Sequence, residues 1–150
     1  MLNDEYFMKL ALKEAQLAMS KKEVPVGAVI VLDDQVIAKA HNQREQSQDP
    51  VAHAEILAIK KAAEYLGSWR LENVKLYVTL EPCPMCAGAI IQSRIPHLVY
   101  AAKDYKNGAH VSKTNLFDVD FTHHVSVVGG ILQTEASVLL KEFFGTLRKN

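Results

Sequence analysis

The run Val24-Pro25-Val26-Gly27-Ala28-Val29-Ile30-Val31-Leu32 is almost continuously apolar and rich in β-branched residues. It reads as a strand, Asp33-Asp34 reads as a tight turn, and Gln35 to Ala40 reads as a second strand, so a hairpin opens the sheet. Before it, Asp4 to Ser20 sets Phe7, Leu10, Ala11, Leu17 and Ala18 at helical spacing. After it, residues 41–49 form a polar loop. Asp49 and Pro50 then suit a helix start, with a carboxylate at the cap and an imino nitrogen at the first helical position. That helix runs to Leu66 and stops at Gly67. A third strand follows at Val74 to Leu80, a helix from Pro84 to Ser93, and a fourth strand at His97 to Ala101. Ala102 to Phe121 reads as loop with a short helical turn. Val125 to Val128 is a fifth strand, Gly129-Gly130 a break, and Thr134 to Leu147 a final helix. A hairpin followed by strand-helix-strand alternation predicts an α/β fold, a three-layer sandwich whose mixed five-stranded sheet carries helices on both faces.

With 150 residues and no repeat or long linker, the expectation is a single domain over 1–150. Lysine plus arginine balance aspartate plus glutamate at 17 each, which removes any global basic field for steering nucleic acid, though local basic groups remain at Lys103, Lys106, Lys113, Lys141, Arg148 and Lys149. No apolar run approaches the roughly 20 residues that cross a bilayer. The first residues lack a secretory layout, so a cytoplasmic setting is expected.

Both cysteines fall in Pro82-Cys83-Pro84-Met85-Cys86, a spacing that suggests a metal or redox pair. His53 and this pair each open a helix that follows a strand, and in a parallel arrangement both helix starts face the same sheet edge. One imidazole and two thiolates suit zinc, and three protein ligands leave one position for water, as in a catalytic site. Glu55 is placed to move protons: two residues past His53 on a regular helix, it points away by about 200° and need not be a ligand. Taken singly, each part has a plainer reading. His53 could cap or pack, and the cysteines could form a redox pair or half a zinc knuckle. No second cysteine pair completes a knuckle, and a redox pair leaves His53-Ala54-Glu55 unexplained.

His53-Ala54-Glu55 together with Pro82-Cys83-Pro84-Met85-Cys86 resembles the signature of the zinc-dependent cytidine/deoxycytidylate deaminase superfamily. Glu23 to Val29, Asp49-Pro50, Leu76 to Cys83, Met85 to Ile90, Ser93-Arg94-Ile95, Gly129 to Leu132 and Phe143-Phe144 are similar to the bacterial tRNA-specific adenosine deaminases. The resemblance implies a cytidine deaminase-like fold and hydrolytic deamination of adenosine to inosine at the wobble position of a tRNA anticodon. It implies a homodimer with one Zn2+ per subunit and the anticodon stem-loop as partner, with no membrane. Glu55 would take a proton from zinc-activated water, whose hydroxide attacks adenine C6, and would then protonate N1 and the departing ammonia.

The same resemblance assigns Asn42 to the substrate nucleotide, Asp104 and Lys106 to an RNA-facing loop, and Phe143, Phe144 and Arg148 to a helix beside the anticodon bases. Val26 and Ala54 would line the base pocket. Each has an alternative: a self-capping loop asparagine, a solvated turn, core aromatics, ordinary packing. Glu81 is expected to support backbone near the site. His123-His124 point to opposite faces of a strand and read, like His41, His97 and His110, as loop or surface histidines. Rival functions are a guanine or cytosine deaminase with the same zinc chemistry, and a non-catalytic zinc-stabilised module.

Overall fold

In the computed structural model, the backbone of residues 2–149 and the side chains of residues 2–147 are described. Five strands form one mixed sheet: β1 (Gly27–Leu32), β2 (Gln35–His41), β3 (Lys75–Leu80), β4 (His97–Ala102) and β5 (Ser126–Val128), in the order β2-β1-β3-β4-β5. β1 runs antiparallel to both β2 and β3, while β3, β4 and β5 are parallel. Asp33 and Asp34 both take positive φ, the left-handed geometry that a two-residue hairpin turn requires and that aspartate tolerates.

Alternate residues of the sheet feed two apolar layers. Ala28, Ile30, Leu76, Val78 and Leu98 face one core, covered by α3 (Ala54–Leu66) and α4 (Pro84–Gln92). Val29, Val31, Tyr77, Val99 and Ala101 face the other, covered by α1 (Asp4–Ser20) and α5 (Gln133–Lys149). Burial on both faces explains why the strands read as continuous apolar runs rather than as alternating ones. Among the described residues no helix is long and apolar enough to cross a membrane.

Beyond shifts of one or two residues at element ends, three features differ from the sequence reading. The first strand starts at Gly27, not Val24, because Pro25 has no N–H for a ladder and Val26 N–H turns back to Val24 O at 2.8 Å. The polar segment holds a four-residue helix, α2 (Arg44–Ser47). Most consequential for the site, the second long helix begins at Ala54. Asp49 and Pro50 instead make a turn: Ala52 N–H donates to Asp49 O (3.2 Å), and Val51 N–H donates to the Asp49 carboxylate (3.0 Å).

Gly27 is where α1 touches β1. A Cβ there would sit inside the van der Waals shell of the Ala11 carbonyl oxygen and against Ala15 N, both backbone. Gly27→Ala is therefore expected to destabilise the fold by about 2 kcal/mol or more, measured as a lower urea midpoint at unchanged denaturant slope.

Candidate active site

Two helices begin at the same sheet edge, and their caps are the site. His53 is the N-cap of α3 and Cys83 the N-cap of α4, each with extended backbone, and neither side chain caps its own helix. Both side chains turn instead toward each other. His53 Nδ1 lies 3.6 Å from Cys83 Sγ and 3.4 Å from Cys86 Sγ, and Cys86 comes from the first turn of α4. Pro84 at the first helical position of α4 supplies the φ of a helix and needs no hydrogen-bond acceptor. Because His53 sits outside the helix, the 200° offset expected for Glu55 does not apply. Glu55 occupies the first turn of α3, only 4% exposed, beside Cys86.

Among the described residues, His53, Cys83 and Cys86 are the group of His, Cys, Asp and Glu side chains able to hold a metal ion. A tetrahedral ion with nitrogen at about 2.0–2.1 Å and sulfur at about 2.3 Å spaces those two atoms about 3.6 Å apart, so the trio fits such an ion. The electrostatics agree. The hydrogen bond with Cys86, helped by His53, pulls the Cys83 thiol down to about 4. Cys86 holds the shared proton through that same bond, and burial raises it further. The hydrogen bond with Cys83 raises His53 against the effect of burial. A divalent cation at the centre would replace the proton and keep both sulfurs as thiolates. Burial pushes Glu55 up to about 7, into the range where a carboxyl both takes and gives protons near neutral pH.

The trio opens into a cleft of about 1090 Å³. Val26, Ala54 and Asn42 line it, as do Asp104 and Lys106 on the opposite rim. Asn42 also serves its own turn, its Oδ1 accepting from Arg44 N–H at 3.2 Å. Asp104 does likewise for Lys106 N–H (3.1 Å) and Asn107 N–H (3.2 Å). The two phenylalanines part company: Phe143 is 8% exposed, turned into the fold and away from the cleft, whereas Phe144 is 42% exposed and lines it. Arg148 lies outside the residues whose side chains are described.

Several lining residues had no sequence signal attached to them. Leu140 and Leu147 form one stripe of α5 with Phe144, which the resemblance had already assigned, at i, i+4 and i+7, a spacing that could have revealed the face. Arg44, in the segment read as polar loop, also lines the cleft, as do Tyr105 and Asn107 beside the assigned Asp104 and Lys106, and Lys103, which reads in sequence only as a local basic group.

Glu81 holds the far rim, as expected. Its carboxylate, 1% exposed, accepts the N–H groups of Asp104 (3.1 Å), His110 (2.9 Å), Val111 (2.9 Å) and Ser112 (3.1 Å), plus the Ser112 hydroxyl (2.5 Å). Burial pushes its pKa up, but the bonds from Ser112, Val111 and His110 outweigh it and hold the carboxyl below its ordinary value. Gly108 is required there, since a Cβ would collide with that carboxylate.

Two of the histidines depart from the surface reading. His41 lies in β2, not a loop, and is buried with Nδ1 3.2 Å from Glu14 and Nε2 3.3 Å from Lys21 Nζ. His110 packs half-buried, with Nδ1 2.8 Å from the Tyr100 hydroxyl. His123 donates to Ile95 O (2.8 Å), while His97 and His124 are exposed.

Comparison with known proteins bears on this arrangement. The family model for MafB19-like deaminases matches residues 2–148. The chain is 50% identical over 150 residues to the tRNA-specific adenosine deaminase of Bacillus subtilis (strain 168), covering 99% of this chain and 93% of that one. A solved structure from studies of A-to-I editing by tRNA:A34 deaminases at the wobble position superposes with a TM-score of 0.87 at 47% identity, covering 90% of this chain and 99% of the other. The guanine deaminase from Nitrosomonas europaea superposes at 0.85 with 25% identity, covering 97% and 86%.

The raised pKa of Glu55 fixes the sign of a stability effect. The fold favours the protonated carboxyl, so this contribution is complete below about pH 4.5 and is lost as pH rises through about 7. In chelator-stripped protein, Glu55→Gln removes that loss. Its stability relative to wild type should climb by roughly 3 kcal/mol between pH 4 and pH 8, at ~1.4 kcal/mol per pH unit, as read from urea midpoints at each pH. A flat difference would contradict the buried placement of Glu55.

Proposed function

The chain belongs to the MafB19-like deaminase family, and from that premise we propose that it deaminates adenosine to inosine at the wobble position of a tRNA anticodon. One observation carries the reading: a buried proton carrier, Glu55, touches a His/Cys/Cys metal trio in a chain half identical, end to end, to a tRNA-specific adenosine deaminase. The whole chain, residues 1–150, acts as one deaminase domain. The family resemblance in the sequence extends the proposal to a homodimer with one zinc per subunit, working in the cytoplasm.

Zinc is the ion we assign, because one imidazole and two thiolates match its preference in softness and geometry. When bound by His53, Cys83 and Cys86, it lowers the pKa of a water in its remaining position toward about 7. The residues then divide the rest of the task. Glu55 takes the water's proton and returns it to adenine N1, then takes the remaining proton from the oxygen added at C6 and delivers it to the departing ammonia. Its burial keeps bulk water from competing for these protons. Val26 and Ala54 are small and apolar, leaving room for the face of a purine, and Asn42 supplies a polar contact to the nucleotide. Lys106, Asp104 and the exposed ring of Phe144 face the flanking nucleotides, where aromatic stacking and phosphate contacts hold single-stranded loops. Extruding the base costs little because an anticodon loop is already unpaired.

The chief alternative is guanine deamination, since a guanine deaminase shares the fold at 25% identity. The metal trio serves either base. The higher identity of the tRNA-acting relatives and the cleft bordered by α5 and the Lys103–Asn107 rim favour an RNA strand. A non-catalytic zinc module leaves the buried Glu55 without a purpose.

Incubation with total tRNA should create inosine at the wobble position, read by sequencing as A-to-G changes, while free guanine should release no ammonia. The reverse pattern would sink the reading. Glu55→Gln should lower turnover by at least about 10³-fold, as loss of the proton carrier demands, with metal content unchanged by elemental analysis. Cys83→Ala should lose the metal itself, and full occupancy in that variant would overturn the ligand assignment.

A further inference from the structure

Arg44 is the only arginine among the described residues that lines the cleft. Its backbone is anchored on two sides. Its N–H donates to Asn42 Oδ1 at 3.2 Å, and the short helix it opens is tied to Glu23 from β1's approach segment. The buried Glu23 carboxylate accepts Glu45 N–H at 3.1 Å and Gln46 N–H at 2.6 Å, standing in for a cap. From this fixed mount the guanidinium reaches the metal trio, placing Nη1 3.5 Å from His53 Nε2. Among the described residues no carboxylate pairs with it.

The chemistry of the two groups decides what belongs between them. A guanidinium offers five donors and no acceptor. His53 turns Nδ1 to both sulfurs, so once Nδ1 is a ligand the neutral ring carries its proton on Nε2. Two N–H donors then point at the same place and cannot satisfy each other. An anionic oxygen satisfies both. The opposite rim adds Lys103 and Lys106, while the carboxylate between them, Asp104, is occupied by its own turn.

We propose that Arg44 and His53 Nε2–H form a two-donor notch that grips a backbone phosphate adjoining the target adenosine, an inference that rests on the RNA reading above. The contact fixes the path of the strand across the metal, so that the base enters the pocket beside Glu55.

The test uses zinc-loaded protein and a synthetic anticodon-hairpin RNA, native or with neutral methylphosphonate linkages on either side of the target adenosine. Inosine formation by wild type on the native hairpin checks the functional reading by itself. In anisotropy titrations, Arg44→Ala should bind the native hairpin about tenfold more weakly, with the salt slope reduced by about 0.7, as for one phosphate on a single strand. The methylphosphonate hairpin should weaken wild type to the same degree and Arg44→Ala no further, and Arg44→Lys should recover part of the loss. KM should rise far more than kcat falls, with zinc content unchanged. Equal affinities of wild type and Arg44→Ala would overturn the proposal. So would full additivity of the two changes, or loss of zinc from Arg44→Ala at unchanged RNA affinity. Failure of wild type to bind the hairpin at all would remove both this inference and the reading beneath it.

Discussion

The approach of one imidazole nitrogen to two sulfurs, at 3.4 and 3.6 Å, sets what the rest of the chain must do. His53 and Cys83 are thirty residues apart, and neither local turn brings them together. They meet because each caps a helix that starts at the same edge of one sheet and packs on the same face of it. The shared direction of β2 and β3, both antiparallel to β1, and the packing of α3 beside α4 are thus conditions for the metal trio. The trio in turn gives both helix starts a purpose other than capping. The positive ends of the helix dipoles face thiols that must become thiolates, so backbone and ligand electrostatics act in the same sense.

Two buried carboxylates near this centre take opposite fates from the same burial. Glu55 has few donors and rises toward neutrality, which fits a group that moves protons. Glu81 meets four backbone N–H groups and a hydroxyl and stays ionised, which fits a group that holds a loop. The number of donors, not the degree of burial, separates the carrier from the clamp.

The fold and the trio were legible in sequence because both rest on local chemistry: β-branched runs, turn residues, Pro84 at a helix start, and metal-binding side chains at tight spacing. The tRNA reading came from resemblance over the whole chain, since the trio alone fits several bases. What could not be read was long-range. Asp49-Pro50 carries the chemistry of a helix start equally well as that of a turn, and only the placement of His53 at the sheet edge decides between them. His41 looked like a surface histidine until β2 and α1 closed around it. The split between Phe143 and Phe144 depends on how α5 rolls on the sheet, which adjacent aromatics do not encode. Arg44 gave no sign because its partners, Asn42 and Glu23, act through backbone amides.

The rim held by Glu81 has a consequence for which of its atoms are free to vary. The clamp contacts the loop almost wholly through main-chain N–H groups, which every residue except proline supplies. Side chains at Lys103, Tyr105, Lys106 and Asn107 can therefore be exchanged without dismantling the loop's course, while Gly108 stays fixed by the carboxylate beneath it. The course of the rim and the lining of the cleft are thereby written in different atoms of the same segment, so the lining can change with the metal trio left intact.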